Sequence, residues 1–61
     1  MTFEQLATVK VGDNVRLRES QGRITMTAKT WFMITWQDGN LETVRRAPTI
    51  LTERLQLEPR P

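Results

Sequence analysis

Apolar residues recur at two different spacings along this chain, and the change between them divides it. At the start, Phe3 and Leu6 stand three apart behind Thr2, and Gln5 follows Thr2 at the same distance. This is the pattern of a capping box, in which the Thr hydroxyl and the Gln amide satisfy backbone groups at a helix start. A short N-terminal helical turn is predicted, with Phe3 and Leu6 closing one end of a core. It ends early, because Thr8, Val9 and Val11 are β-branched and Gly12-Asp13-Asn14 signals a reversal.

From Asn14 onward the period is two. In residues 14–18, Val15 and Leu17 alternate with Arg16 and Arg18, the pattern of a half-buried strand. Ser20-Gln21-Gly22 predicts a turn. Residues 23–29 alternate again, with Ile24, Met26 and Ala28 on one face and Arg23, Thr25, Thr27 and Lys29 on the other. Residues 31–36 are apolar on both faces: Phe32, Ile34 and Trp36 on one, Trp31 and Met33 on the other. Asp38-Gly39-Asn40 is a strong hairpin signal. Residues 41–46 form a fourth strand, stopped by Pro48, which cannot donate to a ladder. A helical or 3₁₀ turn is expected over residues 49–53, a short closing strand over 55–57, and a tail over 59–61.

Five short strands with tight turns predict an all-β fold, a small barrel whose closure removes exposed edges. Its expected core is Leu6, Val15, Leu17, Ile24, Met26, Phe32, Ile34, Val44, Leu51, Leu55 and Leu57. The 61 residues make one domain, with the barrel itself over about residues 9–58. A chain this small buries only ~60% of its unfolded surface, so its core is marginal.

Composition removes the usual reinforcements. There is no cysteine, histidine or tyrosine, which excludes disulfides and thiolate or imidazole metal sites. Good packing or homo-oligomerisation must make up the difference. The same absences argue against an enzyme, and no metal or cofactor is expected. Asp13 and Asp38 fall in predicted turns, where their role is turn formation. The longest apolar run, Trp31-Phe32-Met33-Ile34, is far too short to span a bilayer. The first five residues lack the basic and apolar regions of a leader. A cytoplasmic protein without a membrane role is expected.

The net charge is only +2, so its distribution is more telling. Residues 15–30 carry Arg16, Arg18, Arg23 and Lys29 against Glu19, whereas the segments after them are balanced.

The order Val11-Gly12-Asp13-Asn14-Val15, Gly22-Arg23-Ile24 and Phe32 to Gly39, followed by Val44, Leu55 and Leu57, resembles the SH3-like barrels of the Tudor and KOW type. The resemblance implies a five-stranded SH3-like barrel with a short N-terminal helical turn and a 3₁₀ turn before the last strand. Domains of that kind serve as nucleic-acid-binding modules, readers of methylated side chains, or subunits of larger complexes; the fold does not choose among them. A methyl-lysine cage needs several rings around one cation, and four rings without tyrosine make it a minor reading. Small SH3-like trimethoprim-resistance dihydrofolate reductases carry a Val-Gln-Ile-Tyr stretch on a late strand. This chain reads Glu42-Thr43-Val44-Arg45, so that activity is not carried over.

Two binding readings remain. Arg16, Arg18, Arg23 and Lys29, with Thr25 and Thr27 between them, form a basic strand face suited to phosphates. Trp31 beside Lys29 offers a stacking platform for a single-stranded base. The preferred expectation is therefore a non-catalytic nucleic-acid-binding module, for RNA or DNA. The alternative is a protein-interaction or assembly module, an adaptor, inhibitor or small subunit, placing Trp31 and Met33 with an Arg rim against a partner. The same side chains also have bland explanations, as a solvated strand face and as packing against the N-terminal turn. Arg45 and Arg46 are adjacent and so point to opposite faces. One is expected to contact the ligand or partner and the other to neighbour Glu42 or Asp38.

Overall fold

The computed structural model describes residues 1–59; the expected tail, 59–61, lies outside that range except for Pro59. The chain runs α1 (Phe3–Thr8), β1 (Asn14–Leu17), β2 (Ser20–Thr27), β3 (Trp31–Trp36), β4 (Leu41–Arg45), α2 (Ile50–Arg54) and β5 (Gln56–Leu57). The predicted capping box starts α1: the Gln5 N–H donates to Thr2 Oγ1 at 3.1 Å, and the Thr2 N–H to Gln5 Oε1 at 2.9 Å.

All five strands lie in one antiparallel sheet of order β4-β3-β2-β1-β5. The expected closed barrel is not formed. Among the described residues β4 and β5 do not pair, and the sheet ends at each of them. Pro48 stops β4 and α2 occupies the chain before β5, so the core is completed from outside the ladder, by Leu6, Val9 and Leu55. The segment before β5 is α-helical rather than 3₁₀, with i→i+4 bonds from Glu53 to Thr49 (2.9 Å) and from Leu55 to Leu51 (3.0 Å).

Thr52 is the polar centre of that short helix and is 1% exposed. Its hydroxyl accepts from the Thr49 N–H at 2.7 Å, and the Thr49 hydroxyl accepts in turn from the Thr52 N–H at 3.2 Å. Thr52→Val keeps the shape and leaves the Thr49 N–H unsatisfied. The expected cost is ~1–2 kcal/mol, read by thermal melting as a drop of roughly 4–16 °C.

Eight apolar residues form the buried core: Leu6, Val9, Val15, Ile24, Phe32, Ile34, Val44 and Leu55. Leu17, Leu51 and Leu57, expected inside, sit half-buried around it, as do Met1 and Trp36. Two expectations fail outright. Phe3 is 71% exposed rather than closing the core, because α1 turns only Leu6 inward. Met26 is 50% exposed because β2 carries an irregularity at Thr25. Ile24 pairs with Ile34, but Met26 pairs with Met33 and Thr27 with Phe32, so one residue is skipped. A bulge reverses the alternation beyond it. Met26 therefore moves to the outer face, and Thr27, expected outside, shares the face of Phe32.

The first hairpin also differs from expectation. Leu17 pairs with Ser20, so the turn is Arg18-Glu19, with Arg18 at φ 56°, and Ser20-Gln21-Gly22 lies inside β2.

Candidate binding face

Cross-strand partners share a face, so the register assembles the outer surface of the sheet directly. Trp31 faces Arg45, Met33 faces both Thr43 and Met26, and Thr35 faces both Leu41 and Arg23. On β1 the same side carries Asn14, opposite Arg23, and Arg16, opposite Gln21 and Gln56.

The middle of this face is apolar. Trp31 and Met33 are half-buried, and Met26 and Leu41 are exposed beside them. The Thr25 and Thr35 hydroxyls meet at 2.9 Å and fix the chain at the bulge. The charged rim is almost entirely cationic: Arg45 at one side, Arg23 and Arg16 at the other. Arg23 Nε donates to Asn14 Oδ1 at 3.4 Å. Arg16 lies 3.5 Å from Glu58 Oε1, an exposed ion pair that contributes little to stability. Between β1 and β3, a shallow polar hollow of about 520 Å³ is lined by Asn14, Arg16, Gln21, Arg23, Thr35 and Glu58.

The other carboxylates lie elsewhere. Asp13 is buried and its Oδ2 accepts from the Lys10 N–H at 2.9 Å, holding the turn before β1. Glu42 Oε1 accepts from Trp36 Nε1 at 2.9 Å on the side of the sheet that carries Ile34. Asp38 braces the β3–β4 hairpin by accepting from the Asn40 backbone N–H, 3.0 Å from Oδ1. No group of three or more His, Cys, Asp or Glu side chains suited to a metal occurs among the described residues.

The expected basic face is thus only partly assembled. Arg16 and Arg23 share the outer surface, and Arg45 joins them from β4. Lys29 is exposed in the β2–β3 loop, where it borders a hollow shared with Thr30, Arg45 and Arg46. Arg18 leaves the group entirely: its turn puts it beside Glu19, Ile50, Leu51 and Arg54. Arg46 does not neighbour Glu42 or Asp38. Its Nη1 donates to the Leu6 carbonyl at 2.8 Å, its Nε to Ala28 at 3.0 Å and its Nη2 to Val9 at 3.4 Å, while the guanidinium carbon lies 5.8 Å from the Phe32 ring centroid. It is a structural clamp. Met26 is the surface residue that alternation misplaced, and nothing in the local sequence marks the bulge that moves it.

No helix among the described residues is long and apolar enough to cross a membrane. No protein-family model, curated protein or solved structure matches the chain.

Proposed function

We propose that the protein is a non-catalytic binding module that holds single-stranded nucleic acid on the outer face of its sheet. The observation that carries this reading is the direct cross-strand pairing of Trp31 with Arg45, on a surface whose other cations are Arg23 and Arg16 and whose one carboxylate, among the described residues, is Glu58. Trp31 supplies a ring on which a base stacks, Arg45 lies directly beside it, and Arg23 and Arg16 extend the same face toward β1, where they can meet phosphates. The SH3-like reading of the fold belongs to the same proposal. It is supported by the strand order β4-β3-β2-β1-β5 and by the short helix before β5.

Protein contact is the second reading, favoured by the exposure of Met26 (50%), which pairs with Met33, and of Leu41 (64%), farther along the same face. Salt separates the two. Phosphate contacts release counterions, so three engaged arginines give a slope of log K against log salt near about −2 for a single strand. Fluorescence polarisation of labelled oligonucleotides is expected to show that slope. Trp31→Ala is expected to weaken binding roughly 5- to 150-fold, the loss of one stacked base. Arg23→Glu with Arg45→Glu should remove binding while the circular-dichroism spectrum stays unchanged. If single-stranded RNA and DNA both fail to bind at low ionic strength, the nucleic-acid reading is wrong.

A further inference from the structure

The β4 strand leaves one edge of the sheet open. Its pairing with β3 is flanked by the Trp36 N–H donating to Asn40 (2.8 Å) and the Arg46 N–H donating to Thr30 (3.0 Å). In an antiparallel ladder bonded and non-bonded pairs alternate. With Ile34 opposite Glu42 and Phe32 opposite Val44, the even-numbered residues of β4 therefore bond to β3. The backbone N–H and C=O groups of Leu41, Thr43 and Arg45 consequently point away from β3, into the open edge. Among the described residues no strand pairs with that edge.

Sheet proteins generally protect such an edge with proline, charged side chains or a bulge. Residues 41–45 contain no proline, lysine or bulge, the irregularity in the sheet lying between β2 and β3. Their two charges, Glu42 and Arg45, are opposite in sign and leave the edge open to a self-pairing that opposes no like charges. The opposite edge, β5, is only Gln56–Leu57.

We propose that the β4 edge docks a second copy of this chain, the two strands pairing antiparallel about a two-fold axis at Thr43. In that register Thr43 meets Thr43, and Leu41 meets Arg45 from either side, all as hydrogen-bonded pairs. Glu42 meets Val44. No like charges are opposed, and a β-branched pair sits at the centre. The neighbouring registers are worse. Centring on Glu42 sets two carboxylates against each other, and centring on Arg45 does the same with two guanidinium groups. Centring on Val44 or Leu41 shortens the overlap. The pairing would join two five-stranded sheets edge to edge, with the two Trp31 surfaces on one side. It would also relieve the marginal core of so short a chain. The dimer does not depend on what the outer face binds, so the experiment is run without oligonucleotide.

Sedimentation equilibrium of the full chain, from about 10 μM to about 1 mM, covers the range in which a micromolar dimer forms. The expected result is a rise to twice the 7.1 kDa chain mass. Hydrogen exchange at the high concentration should show the Leu41, Thr43 and Arg45 amides protected. Thr43→Lys opposes two ammonium groups at the axis and should hold the protein at the monomer mass, with those three amides exchanging freely. If Thr43→Lys fails to fold, Leu41→Lys, which opposes Arg45, makes the same test at the end of the strand. A wild-type chain that stays at 7.1 kDa throughout overturns the proposal. So does a dimer in which the three amides exchange as fast as in the lysine variant.

Discussion

Arg46→Met is expected to destabilise the protein by ~3 kcal/mol, because three backbone carbonyls lose a charged donor at once. Leu6, Val9 and Ala28 all present their oxygens to this one guanidinium. Methionine approximates its aliphatic stem and can still lie near Phe32, so the loss reports the hydrogen bonds rather than the packing. Arg46→Lys should recover only part of it, since a single ammonium cannot span three carbonyls from two segments, the end of α1 and the end of β2, as a planar fork does. A 61-residue domain has a total stability of ~3–9 kcal/mol. The substitution therefore removes a large share of it, and the melting temperature should fall by roughly 12–24 °C. A fall of only a few degrees would mean that α1 is held mainly by Leu6 and Val9 packing and by the Met1 ammonium, which donates to the Thr52 and Leu55 carbonyls.

Gly22→Ala is the second large effect expected, and it acts through contact. Gly22 faces Trp36 across the β2–β3 ladder. A Cβ placed there would lie 2.6 Å from Ile34 Cγ2, 2.8 Å from Trp36 Cε3 and 3.2 Å from the Thr35 carbonyl oxygen. Ile34 is fully buried and the indole is tethered to Glu42, so neither side chain can step aside freely. Overpacking of this kind costs ~1–3 kcal/mol. Displacement of the Trp36 ring should appear as a changed indole N–H resonance. Gly39→Ala serves as the control, because its Cβ meets nothing within 4 Å and the position is strained only by φ +92°. That variant should lose ~1 kcal/mol without disturbing the Trp36 signal.

The elements whose signals are local were legible in the sequence. Thr2 and Gln5 announced α1, the alternation of Val15 and Leu17 announced β1, and Asp38-Gly39-Asn40 announced the β3–β4 hairpin. The inward set of β3, Phe32, Ile34 and Trp36, also followed from period two. What escaped the reading had non-local causes. Gly22 looks like a turn residue, yet its lack of a side chain serves Ile34 and Trp36 on the neighbouring strand. The real turn, Arg18-Glu19, has no Gly or Asn to mark it, and Arg18 takes a positive φ all the same. The bulge at Thr25 left the sequence pattern intact while reversing the faces beyond it. At the candidate site, alternation puts Trp31, Met33, Arg16 and Arg23 on the outer side, where the register also has them, but it puts Met26 inside and groups Arg18 with cations it does not adjoin. Arg46 could not be distinguished from Arg45, because its partners lie up to 40 residues away in the chain.

That separation bears on the order in which the molecule assembles. The strands β1 to β4 form a meander of neighbouring hairpins, each closing a short loop. The Arg46 clasp instead joins the end of the meander to Leu6 and Val9, across sequence separations of 40 and 37 residues. Long loops are entropically costly to close before the contacts within them exist. Docking of α1 is therefore expected to follow formation of the sheet, with the Arg46 bonds to the Leu6 and Val9 carbonyls among the last contacts made. The stability lost in Arg46→Met is accordingly expected in the unfolding limb of a denaturant chevron, with the refolding limb nearly unmoved. In kinetic terms Arg46 is expected to act as a latch that sets how long the folded molecule lasts, while the meander sets how fast it forms.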